Sequence, residues 1–129
     1  MKKKKKGLAI GNSDFKEIIQ ENGYYVDKTK FIEDLLEDLS KVKLFTRPRR
    51  FGKTLNLSML KYFFDVRNAE ENRKLFDNLY ISKSEYMENQ GQNPVILISL
   101  RNAEAENWED SFFNIKNLIS NSVSYTHLR

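Results

Sequence analysis

Residues 46–54 read Thr-Arg-Pro-Arg-Arg-Phe-Gly-Lys-Thr, a set of side chains suited to holding a polyphosphate. Binding such an anion takes backbone N–H groups turned inward at the positive end of a helix. It also takes a lysine to neutralise the β- and γ-phosphates, and a hydroxyl to hold Mg²⁺. Gly52, Lys53 and Thr54 match the last three positions of G-x-x-x-x-G-K-[ST], and Arg47 stands where that pattern begins with glycine. The departure falls where it matters less, because Gly52, directly before the lysine, is the position at which backbone and phosphate come closest. Arg47, Arg49 and Arg50 add positive charge suited to a polyphosphate, whereas Pro48 has no N–H to give. The bland alternative is an exposed arginine-rich turn that precedes a helix.

The flanking residues supply the context such a loop needs. Residues 41–46 alternate polar and apolar side chains, which predicts a strand. Residues 55–64, LNLSMLKYFF, are dense in apolar residues without Gly or Pro and predict a buried helix. Upstream, Gly11 to Asp14 offer capping residues for a short helix carrying Phe15, Ile18 and Ile19, which Asn22-Gly23 would end. Tyr24 to Val26 predict a brief extended segment. Asp27 then predicts the cap of a helix whose stripe is Phe31, Ile32, Leu35, Leu36 and Leu39, closed at Ser40.

Downstream, Asn68 with Glu71 marks another helix start, before Leu75, Phe76 and Leu79. After Pro94 the run VILISL at 95–100 predicts a strand buried on both faces. A last helix, capped by Asn107, places Trp108, Phe112, Ile115 and Ile119 on one face, with Trp108 packed. Tyr62, Phe63, Phe64, Phe112 and Phe113 lie in helical patterns and read as core residues, not as a base-stacking platform. Strands alternating with helices predict an α/β class fold, a P-loop NTPase-type three-layer arrangement with a parallel sheet. Two strands cannot complete such a sheet, so the expectation is its N-terminal part only. Residues 1–7 read as a basic disordered tail and 8–121 as the domain portion. Residues 122–129, where the apolar pattern lapses and VSYTHLR resembles a translated adapter sequence, read as a non-native or disordered tail; His127 is given no role.

The run Tyr25-Val26-Asp27-Lys28-Thr29 followed by LFTRPRRFGKTLNLSMLKYFF resembles the predicted AAA-ATPase-like family of bacterial and archaeal proteins. The resemblance covers roughly residues 8–118, including LFDNLYI and NPVILISL, and the family's own loop reads RPRRFGK[ST]. It implies that Arg47 is the family's variant and that Arg47, Gly52, Lys53 and Thr54 bind nucleotide, with ATP and Mg²⁺ as cofactors. It also implies an apolar strand ending in Asp-Glu beyond Arg129, so that hydrolysis is expected only in the intact protein. Members often carry a PD-(D/E)XK nuclease-like domain, which makes nucleic acid a partner of such a domain. Asp27 and Lys28 match a family signature of unassigned role.

Composition narrows the alternatives. The 129 residues suffice for one small domain. With no cysteine there is no disulfide, thiolate metal site or cysteine nucleophile, and one histidine allows no histidine-based triad or cluster. No apolar run suggests a membrane span or a secretory signal, so the expected location is cytoplasmic. Glu33, Asp34, Glu37 and Asp38 read as a solvated helix face. Of the 22 basic residues, Lys2 to Lys6 form one terminal run; without them 17 basic residues face 18 acidic ones, so the basicity is local. Two rivals remain: a nucleic-acid-binding module using the lysine run with Arg47, Arg49 and Arg50, and a fragment too incomplete to function.

Overall fold

A helix closes its hydrogen bonds within its own segment, and it is the helical part of the sequence pattern that the molecule realises. The computed structural model describes residues 7–8, 11–48, 52–100 and 103–127. Five α-helices are present among them: α1 (Phe15–Gln20), α2 (Lys30–Glu37), α3 (Lys53–Phe64), α4 (Ala69–Arg73) and α5 (Trp108–His127). Three short 3₁₀ turns, Lys74–Phe76, Tyr80–Lys83 and Glu85–Asn89, follow α4. The chain divides into two units, Met1–Asn93 and Pro94–Arg129.

The first unit holds the core. Phe15, Ile32, Met59, Phe63, Leu75, Phe76, Ile81 and Met87 are buried together, drawn from α1, α2, α3 and the 3₁₀ turns. Phe76 sits at the centre, stacked on Phe15 at 5.0 Å and edge-on to Phe63 at 5.3 Å. Such ring pairs add about 0.5–1.5 kcal/mol each beyond the area they bury. The short helices survive because they are tied to one another. The Phe15 amide donates to the Ser58 hydroxyl at 3.0 Å, so α3 caps the start of α1. At the end of α1 the left-handed residue is Asn22, with φ 55°, and not the Gly23 that the sequence favours for that role.

Helix α2 starts later and stops sooner than the pattern predicts. Asp27 does not cap it; the flanking residue is Thr29, in helical conformation, and the helix begins at Lys30. It ends at Glu37, because the Asp38 carboxylate accepts from both the amide and the hydroxyl of Ser40 and offers the backbone a turn instead. Leu39, left beyond that turn, is 95 % exposed.

The expected α/β fold with a parallel sheet is not what the chain forms. Among the described residues there is no strand and no sheet, and the β-type pairings are isolated bridges, Gly7 with Gly23 and Asp65 with Asn93. Residues 41–46 and 95–99 take no regular secondary structure and join no ladder. Val42 and Leu44 are each 85 % exposed, and Ile96, Leu97 and Leu100 lie open as well. The alternating and continuous apolar patterns were read for burial that only neighbouring strands can supply, and an extended segment closes no hydrogen bonds by itself. The architecture described is helical.

In the second unit, α5 begins with the cap that the sequence indicates. Asn107 Oδ1 accepts from the Asp110 amide at 2.8 Å, and Asn107 Nδ2 donates to the Asp110 carboxylate at 3.0 Å. Its aromatic stripe is not packed as expected: Trp108 is 74 % exposed, Phe112 and Phe113 are also open, and Trp108 meets Phe112 at 5.7 Å. The helical period is right, and Lys116 Nζ lies 5.8 Å from the Phe112 ring centre, but the period alone does not bury the aromatic rings. No helix among the described residues is long and apolar enough to cross a membrane.

Candidate functional site

The residues 47–54 connect an extended limb to the start of α3. Gly52 is the residue flanking the helix and takes the left-handed conformation, φ 74° and ψ 23°. A residue with a side chain is strained there by about 1 kcal/mol or more. Nothing among the described residues lies within 4 Å of where a Cβ would sit, so the glycine is required by backbone geometry and not by a lack of space. The first intrahelical bond here runs from the Asn56 amide to the Gly52 carbonyl at 2.9 Å. The amides of Lys53, Thr54 and Leu55 therefore precede it, in the position from which helix N-termini hold anions.

The charges around that terminus favour an anion. No acidic residue stands in the first turn of α3, and no side chain caps it. Lys53 Nζ donates to the Arg47 carbonyl at 2.6 Å, joining the lysine to the first residue of the loop. Lys53 and Thr54 are exposed, as is Arg47. Among the described residues no cluster of three or more His, Cys, Asp or Glu could hold a metal. The structure brings Arg47, Gly52, Lys53 and Thr54 into one loop; Arg49 and Arg50 lie outside the described residues.

What holds this loop in place is only partly visible in the sequence. Behind it, Ser58 donates to the Leu55 carbonyl at 2.8 Å while it caps α1, and Met59 and Phe63 are fully buried. At the far end of α3 the Gly91 amide donates to Phe63 O at 2.8 Å and the Asn93 amide to Phe64 O at 3.0 Å. These bonds occupy carbonyls that a helix end leaves without partners. Before the loop, Phe45 meets Phe31 of α2 edge-on at 5.0 Å.

Asp27 has a role that the capping expectation misses. Its Oδ1 accepts from the Thr29 amide at 2.9 Å and hydroxyl at 2.6 Å, and its Oδ2 accepts from the Tyr80 amide at 2.7 Å. Partial burial works to raise its pKa, but the bonds from Thr29 and Tyr80 outweigh it and hold the carboxyl below its ordinary value. Thr29, fully buried, accepts in turn from the Ile81 amide at 3.2 Å. The signal for this was the spacing Asp-x-Thr, which favours a side-chain-to-backbone turn as much as a cap. Beside it, burial pushes the Tyr25 phenol up to about 12, and its hydroxyl donates to Met59 Sδ at 3.4 Å.

Comparison with known proteins gives one family. The family model AAA-ATPase_like, described as Predicted AAA-ATPase, matches residues 9–128. No curated protein and no solved structure matches the chain.

Proposed function

The chain belongs to the predicted AAA-ATPase-like family, and from that premise we propose that residues 47–54 bind the polyphosphate of ATP. The observation that carries this is Gly52 in left-handed conformation directly before Lys53, at an exposed helix start with no acidic side chain in its first turn. Lys53 pairs with the β- and γ-phosphates, the α3 amides and Gly52 cradle them, and Arg47 adds charge at the other end of the loop. Arg49 and Arg50 are adjacent in sequence and are assigned the same supporting part. Mg²⁺ arrives with the nucleotide and takes the Thr54 hydroxyl as a ligand.

The proposal is for binding. Hydrolysis further requires a carboxylate to hold Mg²⁺ and one to orient the attacking water. Turnover is therefore assigned to a protein that supplies those groups, where nucleotide hydrolysis would act on an associated domain.

A fluorescent ATP analogue titrated with and without Mg²⁺ tests this reading. Thr54→Ala is expected to remove most of the Mg²⁺-dependent gain in affinity while leaving the metal-free affinity near wild type. Equal loss under both conditions would assign Thr54 to the phosphates and not to the metal. A nucleic-acid module would instead bind an oligonucleotide with affinity that falls steeply with salt and ignores Mg-ATP.

A further inference from the structure

The loop's first limb is braced from a distance, and the brace can be followed contact by contact. Asp27 and Thr29 take up the amides of Tyr80 and Ile81, the first two residues of the 3₁₀ turn Tyr80–Lys83, some fifty positions along the chain. Amides at the start of a helical turn have no partner within it, so these two side chains fix the turn to the start of α2. Helix α2 grows directly from that clamp: the Phe31 amide donates to Lys28 O and the Ile32 amide to Thr29 O, both at 3.0 Å. Phe31 carries the ring that meets Phe45 at 5.0 Å. Two residues beyond Phe45 is Arg47, whose carbonyl receives Lys53 Nζ.

We propose that Asp27 and Thr29 are positioning residues for the phosphate loop, acting through α2 and the Phe31–Phe45 ring pair on the limb that ends at Arg47. The proposal rests on the nucleotide-binding reading above and adds to it. Residues 41–48 carry no regular secondary structure, and Val42 and Leu44 are in solvent, so the ring pair is a point at which the limb is attached to the core. An attached limb has less freedom to lose when a ligand orders the loop, and affinity gains by that difference. Thr29, fully buried with its hydroxyl both donating and accepting, gives the clamp one arrangement.

A role confined to stability would lower the melting temperature and leave the affinity of the folded protein untouched. The test is a double-mutant cycle on Mg-ATP affinity with Asp27→Asn, Phe45→Ala and the pair, measured well below each melting temperature, with circular dichroism confirming the fold. Each single change is expected to weaken binding by roughly three- to tenfold, the range seen for coupled neighbours, and the pair no more than the weaker single. Additive losses, or Asp27→Asn with wild-type affinity, overturn the proposal. Phe45 is half exposed, so Phe45→Ala retains the fold even if Asp27→Asn does not, and unchanged affinity in Phe45→Ala alone also overturns it. Lys53→Ala in the same series separates the two readings. If it abolishes binding while Asp27→Asn and Phe45→Ala bind as wild type, only the brace fails; if the wild-type chain does not bind, both fail.

Discussion

The two ends of α3 are built in opposite ways. At its C-terminal end Phe63 is fully buried, and the last carbonyls accept from Gly91 and Asn93. At its N-terminal end Gly52, Lys53 and Thr54 are exposed, and the flanking Gly52 has no side chain with which to cap the helix. The starts of α1, α2 and α4 also lack a cap bond from their flanking side chain, so the start of α3 is set apart by its left-handed Gly52 and by a first turn without carboxylates. Leaving one end open, solvated and free of carboxylates keeps its donors available for an anion. If the exposed end holds the nucleotide as proposed, changes at the buried end should alter stability and changes at the exposed end should alter binding.

The largest effect is expected at the buried end. Phe63→Ala removes a fully buried ring that packs against Phe76 and Phe64 and should cost about 3–5 kcal/mol. Chemical denaturation would read this as a fall in midpoint, and a cost under about 1 kcal/mol would mean that the ring cluster does not hold the unit together.

Gly91→Ala should come next. Gly91 has φ 70°, and an added Cβ would stand 2.5 Å from Ala69 Cβ, against the loop that closes the end of α3. Overpacking together with backbone strain should destabilise by roughly 1–3 kcal/mol. Nucleotide affinity in the folded fraction should not change, since the open end is untouched. A shift in affinity larger than the shift in stability would mean that the two ends are not independent.

The smallest effect concerns pH. Asp27 has its folded pKa below the ordinary 3.8, so its charged form adds stability that is fully present above that value. The contribution is lost as pH falls through the depressed folded value. The difference in melting temperature between wild type and Asp27→Asn should therefore be constant from neutral pH down to about pH 5 and shrink in stronger acid. A difference that persists unchanged into strong acid would mean that the Asp27 charge is not what the Thr29 and Tyr80 bonds stabilise.

The contrast between local and distant partners also explains what the sequence could reveal. Positions of α1 and α3, the start of α5 and its Asn107 cap depend on neighbours within a few residues and are legible from spacing, but α5 runs on to His127, past Ile119 where its apolar pattern lapses. Residues 41–46 and 95–100 carry equally clear apolar patterns, but whether they become strands depends on partners elsewhere, and the described chain gives them no ladder. Trp108 fails for the same reason: the stripe on α5 has the right period, and period alone does not say what covers it. Asp27 shows the ambiguity within one residue, since the same carboxylate can cap a helix or reach the Tyr80 amide, 53 positions away. The Phe31–Phe45 pair had no sequence signal, because each ring read only as part of its own element.

The most direct measurement is calorimetric titration of Mg-ATP into the wild-type chain and into Lys53→Ala, with thermal melts of both. The expected result is binding by the wild type and at least roughly tenfold weaker binding by Lys53→Ala, about 1.4 kcal/mol, at unchanged melting temperature. Equal binding by both chains, or none by a folded wild-type chain, would contradict a phosphate site at the open end of α3.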